Sequence, residues 1–181
     1  MNVLGFSGSL RKGSYNTAAL RAAIELAPTG MTITHADISD FPLYNDDVRE
    51  AGYPPAVEHV RRQIHMADAV LFVTPEYNYS VSGVLKNAID WASRPPDSPL
   101  IGKAAAIMGA SSGLIGTARA QYHLRQIAVF LDMKLVNRPE VMISQAAQKF
   151  DENGRLTDQK TRQMIGKLLV ALAAWTVQLK R

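Results

Sequence analysis

The 181-residue sequence contains no cysteine, which excludes disulfide bonds, thiolate catalysis and thiolate metal sites. Long hydrophobic runs are also missing, since no apolar segment reaches the roughly 18 residues that a membrane-spanning helix needs. The first residues lead directly into a strand pattern, without the basic region, apolar stretch and cleavage site of a secretory signal. We therefore expect a cytoplasmic protein that does not enter the membrane. The length predicts one domain, residues 1–181.

Clustered charge is missing as well. The chain carries 20 Lys and Arg against 16 Asp and Glu, which gives a net charge of +4. These basic residues are spread along the sequence, whereas a nucleic-acid-binding surface concentrates them in one patch or stripe. The charge pattern therefore favours small anionic ligands and argues against nucleic acid as a partner.

Metal-ligand spacing is not apparent in the sequence. The 4 histidines show no pairing typical of a metal site. Asp46, Asp47 and Glu50 lie within five residues of a loop that is rich in turn-forming residues. We interpret these carboxylates as solvated turn residues, and we expect no metal.

The sequence does contain a regular alternation of strand and helix patterns. Apolar strand patterns occupy residues 2–7, 69–73, 103–110 and the interrupted pair 134–136 and 141–143, whereas residues 31–35 alternate apolar with polar, as an edge strand does. Helical spacing is found at residues 14–27, after Pro55, at 82–93, from about 114 to 131 and at 157–179, and residues 37–53 are predicted as a loop. Five such alternations predict an α/β fold with a flavodoxin-like parallel sheet of order 2-1-3-4-5 and helices on both faces. The loops after strands one, three and four are then expected to converge at one edge of the sheet.

The loop after the first strand has the composition of an anion-binding site. It combines glycines, hydroxyl side chains and Arg11 directly before a helix, whose first N–H groups have no partner within the helix. Ser14 stands where a nucleoside triphosphate loop needs lysine, and Gly5 and Gly8 are spaced wrongly for the dinucleotide fingerprint. The residues that remain, Ser7, Ser9, Arg11, Ser14 and Asn16, are suited to one phosphate monoester.

The loop after the third strand adds an aromatic, an amide and a second aromatic residue, Tyr77, Asn78 and Tyr79. A flat ring system needs a slot with aromatic walls and polar groups at its edge, and this loop supplies both. The small-residue turn from Ser111 to Gly113 lies after the fourth strand. The sequence thus predicts a site for a ligand that carries both a phosphate and a flat ring.

Four segments resemble the NADPH-dependent FMN reductases, and among them the bacterial quinone and chromate reductases. They are residues 8–16 (GSLRKGSYN), 75–91 (PEYNYSVSGVLKNAIDW), 109–113 (GASSG) and 119–125 (RAQYHLR). The resemblance implies non-covalently bound FMN and hydride transfer from NADPH or NADH, through the flavin, to a quinone-like acceptor, with chromate, azo compounds and free flavin as further acceptors. A flavin needs no dedicated acid or base from the protein, so we expect none.

The resemblance also assigns residues to the cofactor. It places Ser9, Arg11, Ser14 and Asn16 at the FMN phosphate, with Lys12, Gly13 and Tyr15 in the same loop. Along the isoalloxazine ring it places Glu76, Tyr77, Asn78 and Tyr79, and it adds Ser111 from the third loop. Ser82 departs from the family, which often has proline there, and we expect this change to loosen the start of the helix slightly.

The resemblance further implies a homodimer or homotetramer. Arg119, Tyr122 and Arg125 recur on one side of a predicted helix and form a candidate subunit contact, together with the helix after the third strand. Two other functions stay open. A flavodoxin-type electron carrier would lack a nicotinamide site, and an interaction protein would keep the fold without the flavin. Such carriers are commonly acidic, so the basic composition favours the enzyme.

Overall fold

The computed structural model describes residues 1–180, and Arg181, the last residue of the predicted domain, lies outside the described residues. The strands are β1 (Asn2–Ser7), β2 (Thr32–Ala36), β3 (Ala69–Val73), β4 (Ala104–Ala110), β5 (Lys134–Leu135) and β6 (Val141–Ile143). The helices are α1 (Tyr15–Glu25), α2 (Asp46–Ala51), α3 (Pro55–Met66), α4 (Gly83–Ala92), α5 (Ala118–Phe130) and α6 (Gln159–Leu179). One turn of 3-10 helix covers Ala146–Gln148.

All strands are parallel, in the order β2-β1-β3-β4-β5, with β6 also paired to β4. This arrangement confirms the predicted flavodoxin-like sheet. The alternating strand β2 lies at the edge and pairs with β1, whereas every residue of the continuously apolar β3 is buried. The two short strands β5 and β6 pair with successive parts of β4, which confirms the interrupted last strand.

Two apolar clusters cover the two faces of the sheet. One includes residues of α1 and α6, and the other includes residues of α3, α4 and α5. Strand β3 contributes to both, because successive side chains of a strand point to opposite faces. Leu71 and Val73 belong to the first cluster, and Val70 and Phe72 belong to the second. This two-sided burial explains why the β3 sequence does not alternate.

The predicted loop 37–53 is partly wrong, because it contains the short helix α2. The side chain of Asn45 caps this helix by accepting a hydrogen bond from the backbone N–H of Asp47. Asp46 pairs with Arg49 and accepts a hydrogen bond from the hydroxyl of Tyr44, and its side chain is 60% exposed, so it remains a solvated carboxylate as expected. Asn and Asp favour both turns and helix N-termini, which is why the pattern was misread. Among residues 1–180, no group of three or more His, Cys, Asp or Glu side chains could hold a metal ion.

Capping residues determine where α1 and α6 begin, and both helices lie within the predicted ranges. Ser14 caps α1, and Asp158 caps α6 by accepting from the backbone N–H of Thr161, so α6 begins at Gln159. Within residues 1–180, no helix combines the length and the apolar character required to cross a membrane.

Candidate functional site

Three loops meet at the carboxyl edge of the sheet and surround a cavity of about 540 Å³. This volume lies within the range of pockets that bind cofactors and drug-sized ligands. The loops follow β1, β3 and β4, as the strand order predicts for a doubly wound sheet. The residues that line the cavity are Ser9, Arg11, Ser14, Tyr15, Asn16, Pro75, Glu76, Tyr77, Ala110, Ser111 and Ser112. Eight of the twelve predicted site residues are therefore brought together. Of the other four, Lys12, Gly13 and Asn78 are direct neighbours of lining residues in the chain, and Tyr79 is two residues from Tyr77.

The first loop presents unpaired backbone donors. The N–H groups of the five residues from Ser9 to Gly13 donate to no acceptor within residues 1–180. The loop is fixed at both ends, because the N–H of Gly8 donates to the carbonyl oxygen of Val73 at 2.8 Å and that of Ser14 to Arg11 at 3.0 Å. A fixed loop with free N–H groups at the start of a helix is suited to an anion.

Arg11 adds positive charge to this loop without an ion-pair partner among residues 1–180. Its guanidinium carbon lies 5.4 Å from the centre of the Tyr15 ring, and that ring packs on Phe150 with 5.3 Å between centroids. The aromatic pair restrains the side chain of Arg11, and the guanidinium N–H groups stay available for a ligand. Lys12 is exposed beside it and is likewise unpaired within the described part of the chain.

Ser14 and Asn16 are both buried, and both already have partners. The Ser14 hydroxyl oxygen accepts from the backbone N–H groups of Asn16 and Thr17, so its own hydrogen is left to donate. The Asn16 side chain donates to the carbonyl oxygen of Ala110 at 2.9 Å and accepts from the N–H of the same residue at 2.8 Å. The Asn16 amide therefore connects the first loop to the third.

The second loop contains a tight two-residue turn from Tyr77 to Ser80. The N–H of Tyr77 donates to the carbonyl oxygen of Ser80, and the N–H of Ser80 donates to that of Tyr77. The two residues between them, Asn78 and Tyr79, have φ angles of 48° and 66°. A positive φ is unusual for tyrosine, and such backbone conformations concentrate at functional sites. The turn exposes the side chains of Tyr77 and Tyr79 by 51% and 65%, so both rings are accessible to a ligand or partner.

Helix α5 holds this turn in place. The Arg119 guanidinium lies over the Tyr79 ring, 3.7 Å from its centre, and the Ser80 hydroxyl is hydrogen-bonded to Nδ1 of His123 at 2.9 Å. These contacts join side chains that are about 40 residues apart in sequence. Sequence reasoning missed the role of His123, since a lone histidine carries no signal for such a contact.

The carboxylate of Glu76 is not free to contact a ligand as a bare anion. It accepts hydrogen bonds from the backbone N–H groups of Arg119 and Ala120 at 2.9 and 3.2 Å, and from the Arg119 guanidinium at 3.0 Å. The residue at the start of α5, Thr117, makes no capping bond with its own side chain. Glu76 therefore caps α5 from another loop, where its negative charge is favourable at the helix N-terminus.

The expectation that Ser82 loosens the start of α4 is wrong. Its buried hydroxyl donates to the carbonyl oxygen of Gly8 at 2.6 Å and accepts from the backbone N–H of Leu85. Ser82 thus caps α4 and also ties that helix to the first loop, which proline could not do through a side-chain hydroxyl. The signal was present in the sequence, because serine is a preferred residue before a helix.

The third loop is also fixed from within the chain. The backbone N–H of Ser111 donates to the carbonyl oxygen of Ile143 at 2.9 Å, and its hydroxyl accepts from the N–H of Gly113 at 3.1 Å. The Ser111 hydroxyl donates to no acceptor within residues 1–180, and Ser111 lines the cavity. Ser112, which the sequence interpretation omitted, lines the same cavity.

The predicted surface on α5 is only partly exposed. Arg119 pairs with Glu76, and Arg125 donates to the side chain of Asn137 and to the carbonyl oxygen of Val136. The Tyr122 side chain is 51% exposed. Of the three residues, Tyr122 is therefore the one best placed to contact a partner. On the neighbouring α4, Lys86 and Asp90 form an ion pair at 2.8 Å.

Comparisons with known proteins agree with this geometry. The sequence model of the NADPH-dependent FMN reductases matches residues 1–148. The chain belongs to this family. An NAD(P)H-dependent FMN reductase of Pseudomonas aeruginosa is 63% identical over 99% of this chain and 97% of its own length. A quinone reductase of Escherichia coli strain K12 is 47% identical, also over 99% of this chain and 97% of its own length.

The fold of this FMN reductase family member also matches that of a solved structure. The flavoenzyme NAD(P)H:(acceptor) oxidoreductase FerB of Paracoccus denitrificans superimposes with a TM-score of 0.89 at 36% identity, over 98% of this chain and 97% of that one. The family, the flavodoxin-like fold and the enzyme class expected from the sequence motifs are thereby confirmed. Membership of an enzyme family argues against the open alternative of an interaction protein without catalytic function.

Proposed function

We propose that this protein uses NADPH or NADH to reduce FMN bound in the cavity and passes the electrons to quinone-like acceptors. Its family membership supports the use of a nicotinamide and a flavin. Quinone reductases among its relatives support the acceptor class, including an NAD(P)H:quinone oxidoreductase of Solanum tuberosum at 50% identity over 99% of this chain and 95% of that one. Chromate, azo compounds and free flavin are further acceptors to test.

One observation carries this proposal. Five backbone N–H groups and the Arg11 guanidinium, none of which has a partner in the described part of the chain, lie together at the start of α1. This donor set fits a phosphate dianion, because several charge-assisted hydrogen bonds of roughly 1.5 to 3 kcal/mol each would bind it without a metal. The cavity continues from this loop to Tyr77, which gives it both a phosphate end and an aromatic end. The residues present therefore fit FMN.

We assign the residues to roles as follows. Ser9, Arg11, Ser14 and the N–H groups of Lys12 and Gly13 would hold the phosphate, and Tyr15 would restrain Arg11. Tyr77, Asn78 and Tyr79 would line the ring, with Ser111 contacting it from the third loop. Glu76 and Asn16 would support the site through α5 and Ala110. FMN supplies the redox chemistry by accepting a hydride equivalent and passing electrons on, and the protein binds and orients it and keeps one face accessible.

The deciding experiment mixes the purified protein with FMN and NADPH and follows nicotinamide absorbance, with and without a quinone. We expect NADPH oxidation that depends on FMN and is accelerated by the quinone. Parallel reactions with NADH give the co-substrate preference. A protein whose bound FMN is reduced by neither nicotinamide would be a flavodoxin-type electron carrier, and the enzyme proposal would be wrong.

We also propose a homodimer or homotetramer that associates through α5 and the neighbouring α4. Near Tyr122, α5 exposes Val129 and Phe130 by 79% and 83%, and large apolar side chains of this kind are enriched in subunit interfaces. Light scattering after gel filtration would show a dimer or tetramer for the wild type and a monomer for Phe130→Asp. The control is Val170→Asp on α6, which is 57% exposed and should leave the mass unchanged. A wild type that is monomeric at micromolar concentration contradicts the proposal.

The remaining proposals concern domain organisation and location. We infer that residues 1–181 form one FMN-binding domain, since both apolar clusters lie on the same sheet. Limited proteolysis that cut the chain into two stable fragments would contradict this. We propose a cytoplasmic location because NADPH is a reductant of that compartment, and cell fractionation tests it.

A further inference from the structure

The end of β4 lacks a strand neighbour on one side. In a parallel sheet, successive residues direct their backbone N–H and C=O groups to opposite neighbours. The carbonyl oxygen of Met108 accepts from the N–H of Thr74 on the β3 side, and the N–H of Ser111 donates to Ile143 on the β6 side. The N–H and C=O of Ala110 therefore point toward β3, as those of Met108 do.

Strand β3 no longer runs beside Ala110. It ends at Val73, the last hydrogen bond to β4 comes from Thr74, and the next residue, Pro75, has no N–H to donate. The chain then leaves the sheet to form the turn that begins at Tyr77. This departure opens the cavity, and it would leave two buried backbone groups of Ala110 unpaired, which is costly.

Asn16 supplies the missing partner. Its side-chain amide donates to the Ala110 carbonyl oxygen at 2.9 Å and accepts from the Ala110 N–H at 2.8 Å. A carboxamide carries the same donor and acceptor as a peptide group, so it takes the place of the strand that has left. Asn16 is 4% exposed and lines the cavity, where it joins the first turn of α1 to the start of the third loop.

We propose that Asn16 is a positioning residue that fixes the spacing between the phosphate loop and the third loop, instead of being a ligand of the phosphate. The inference rests on the proposed FMN site. The hydrogen bonds from Asn16 to Ala110 set the position of Ser111 relative to Arg11. The Asn16 side chain would therefore contribute to the binding of the whole cofactor. A phosphate ligand, in contrast, would contribute only when the phosphate is present.

Riboflavin, which is FMN without the phosphate, separates the two roles. We expect Asn16→Ala to lower the affinities for FMN and for riboflavin by the same factor, on the order of tenfold, so that their ratio keeps the wild-type value. Arg11→Ala should lower the affinity for FMN and leave that for riboflavin nearly unchanged. Fluorescence quenching of each flavin measures both affinities without any turnover.

Asn87 provides a matched control outside the cavity lining. Its side chain makes the same pair of contacts, accepting from the N–H of Tyr44 and donating to the carbonyl oxygen of Pro42, both at 2.8 Å. Asn87→Ala removes an equivalent amide bridge from the protein. If both flavin affinities fall as far in Asn87→Ala as in Asn16→Ala, the loss reflects general destabilisation and the proposal is overturned.

A second variant, Asn16→Asp, tests the hydrogen bonds directly and covers the case that Asn16→Ala does not fold. The ionised carboxylate accepts from the Ala110 N–H but repels the Ala110 carbonyl oxygen, whereas the protonated acid can donate to that oxygen. We expect the riboflavin affinity of this variant to rise as the pH falls, by more than any change in the wild type. The charged or titratable groups that line the cavity are common to both proteins, and they are Arg11, Tyr15, Glu76 and Tyr77.

The outcomes separate this inference from the proposed function. If the wild type binds FMN no more tightly than riboflavin, the phosphate site itself is wrong. If the wild type prefers FMN but Asn16→Ala loses FMN affinity alone, Asn16 is a phosphate ligand and the positioning role is overturned. A riboflavin affinity of Asn16→Asp that does not rise at low pH overturns it as well.

Discussion

Glu76 binds Arg119 twice, through the backbone N–H at 2.9 Å and through the guanidinium at 3.0 Å. The second contact holds the guanidinium that lies over Tyr79, so one carboxylate caps α5 and also supports the turn in the second loop. The side chain of Glu76 is only 9% exposed, whereas that of Arg119 is 41% exposed, so solvent screens the ion pair from the Arg119 side. The aromatic end of the cavity thus depends on a contact between residues 43 positions apart in the sequence.

We predict that Glu76→Ala destabilises the protein by about 2 kcal/mol, because two N–H groups at the start of α5 and the Arg119 guanidinium lose their acceptor. Glu76→Gln should lose about half of this, since the amide oxygen can still accept but carries no charge. Urea unfolding measures both values. Equal stability of Glu76→Ala and the wild type would show that the cap contributes nothing.

Arg11→Ala should weaken FMN binding by about tenfold or more, since it removes a charge-assisted contact to the phosphate. The fold should remain intact, because Arg11 is exposed and makes no ion pair within residues 1–180. Isothermal titration with FMN measures the affinity, and circular dichroism checks the fold. Lys12→Ala is the control for a general charge effect and should cause a smaller loss.

Ser82→Ala should lower the stability by about 1 to 2 kcal/mol, because it removes the cap of α4 and leaves the Gly8 carbonyl oxygen without its donor. Ser82→Thr keeps the hydroxyl and should retain most of the stability. Thermal unfolding compares the three proteins. If Ser82→Pro, the residue that the family often has, matched the wild type, the bond to Gly8 would be dispensable.

Asp158 should contribute to the pH dependence of stability. Hydrogen bonds from the side chain and backbone of Thr161 lower the pKa of Asp158 below its ordinary value of 3.8. A lowered pKa in the folded state stabilises the protein at pH values above the ordinary pKa, and this contribution is lost as the pH falls through the folded-state pKa.

The test compares the free energy of unfolding of Asp158→Ala and of the wild type across acidic pH. At neutral pH we expect the variant to be less stable by about 1 kcal/mol, as for a lost N-cap. This difference should shrink below about pH 4. Asp158→Asn keeps a capping oxygen, but its side chain does not titrate. The Asp158→Asn variant should therefore not lose this contribution to stability as the pH falls. A difference that stays constant down to about pH 2 would contradict the assignment.

Much of the fold followed from the sequence because strand and helix patterns are local. The continuous apolar run of β3 and the alternation of β2 depend on which faces of a strand are buried, so they also placed the two strands correctly in the sheet. The motifs identified the family for the same reason, since they are contiguous. Helix α2 was missed where Asn45 and the aspartates after it carry signals for both a turn and a helix start.

The tertiary structure alone decided what several site residues do. Asn16, Glu76 and Ser82 are polar residues in or next to the cofactor motifs, and the sequence could only count them as ligands or as substitutions. In the fold each is paired with a group from a distant segment, namely Ala110, Arg119 and Gly8. The physical reason is that buried backbone groups need partners, and which groups lack one becomes known only when the strands and loops are placed in space.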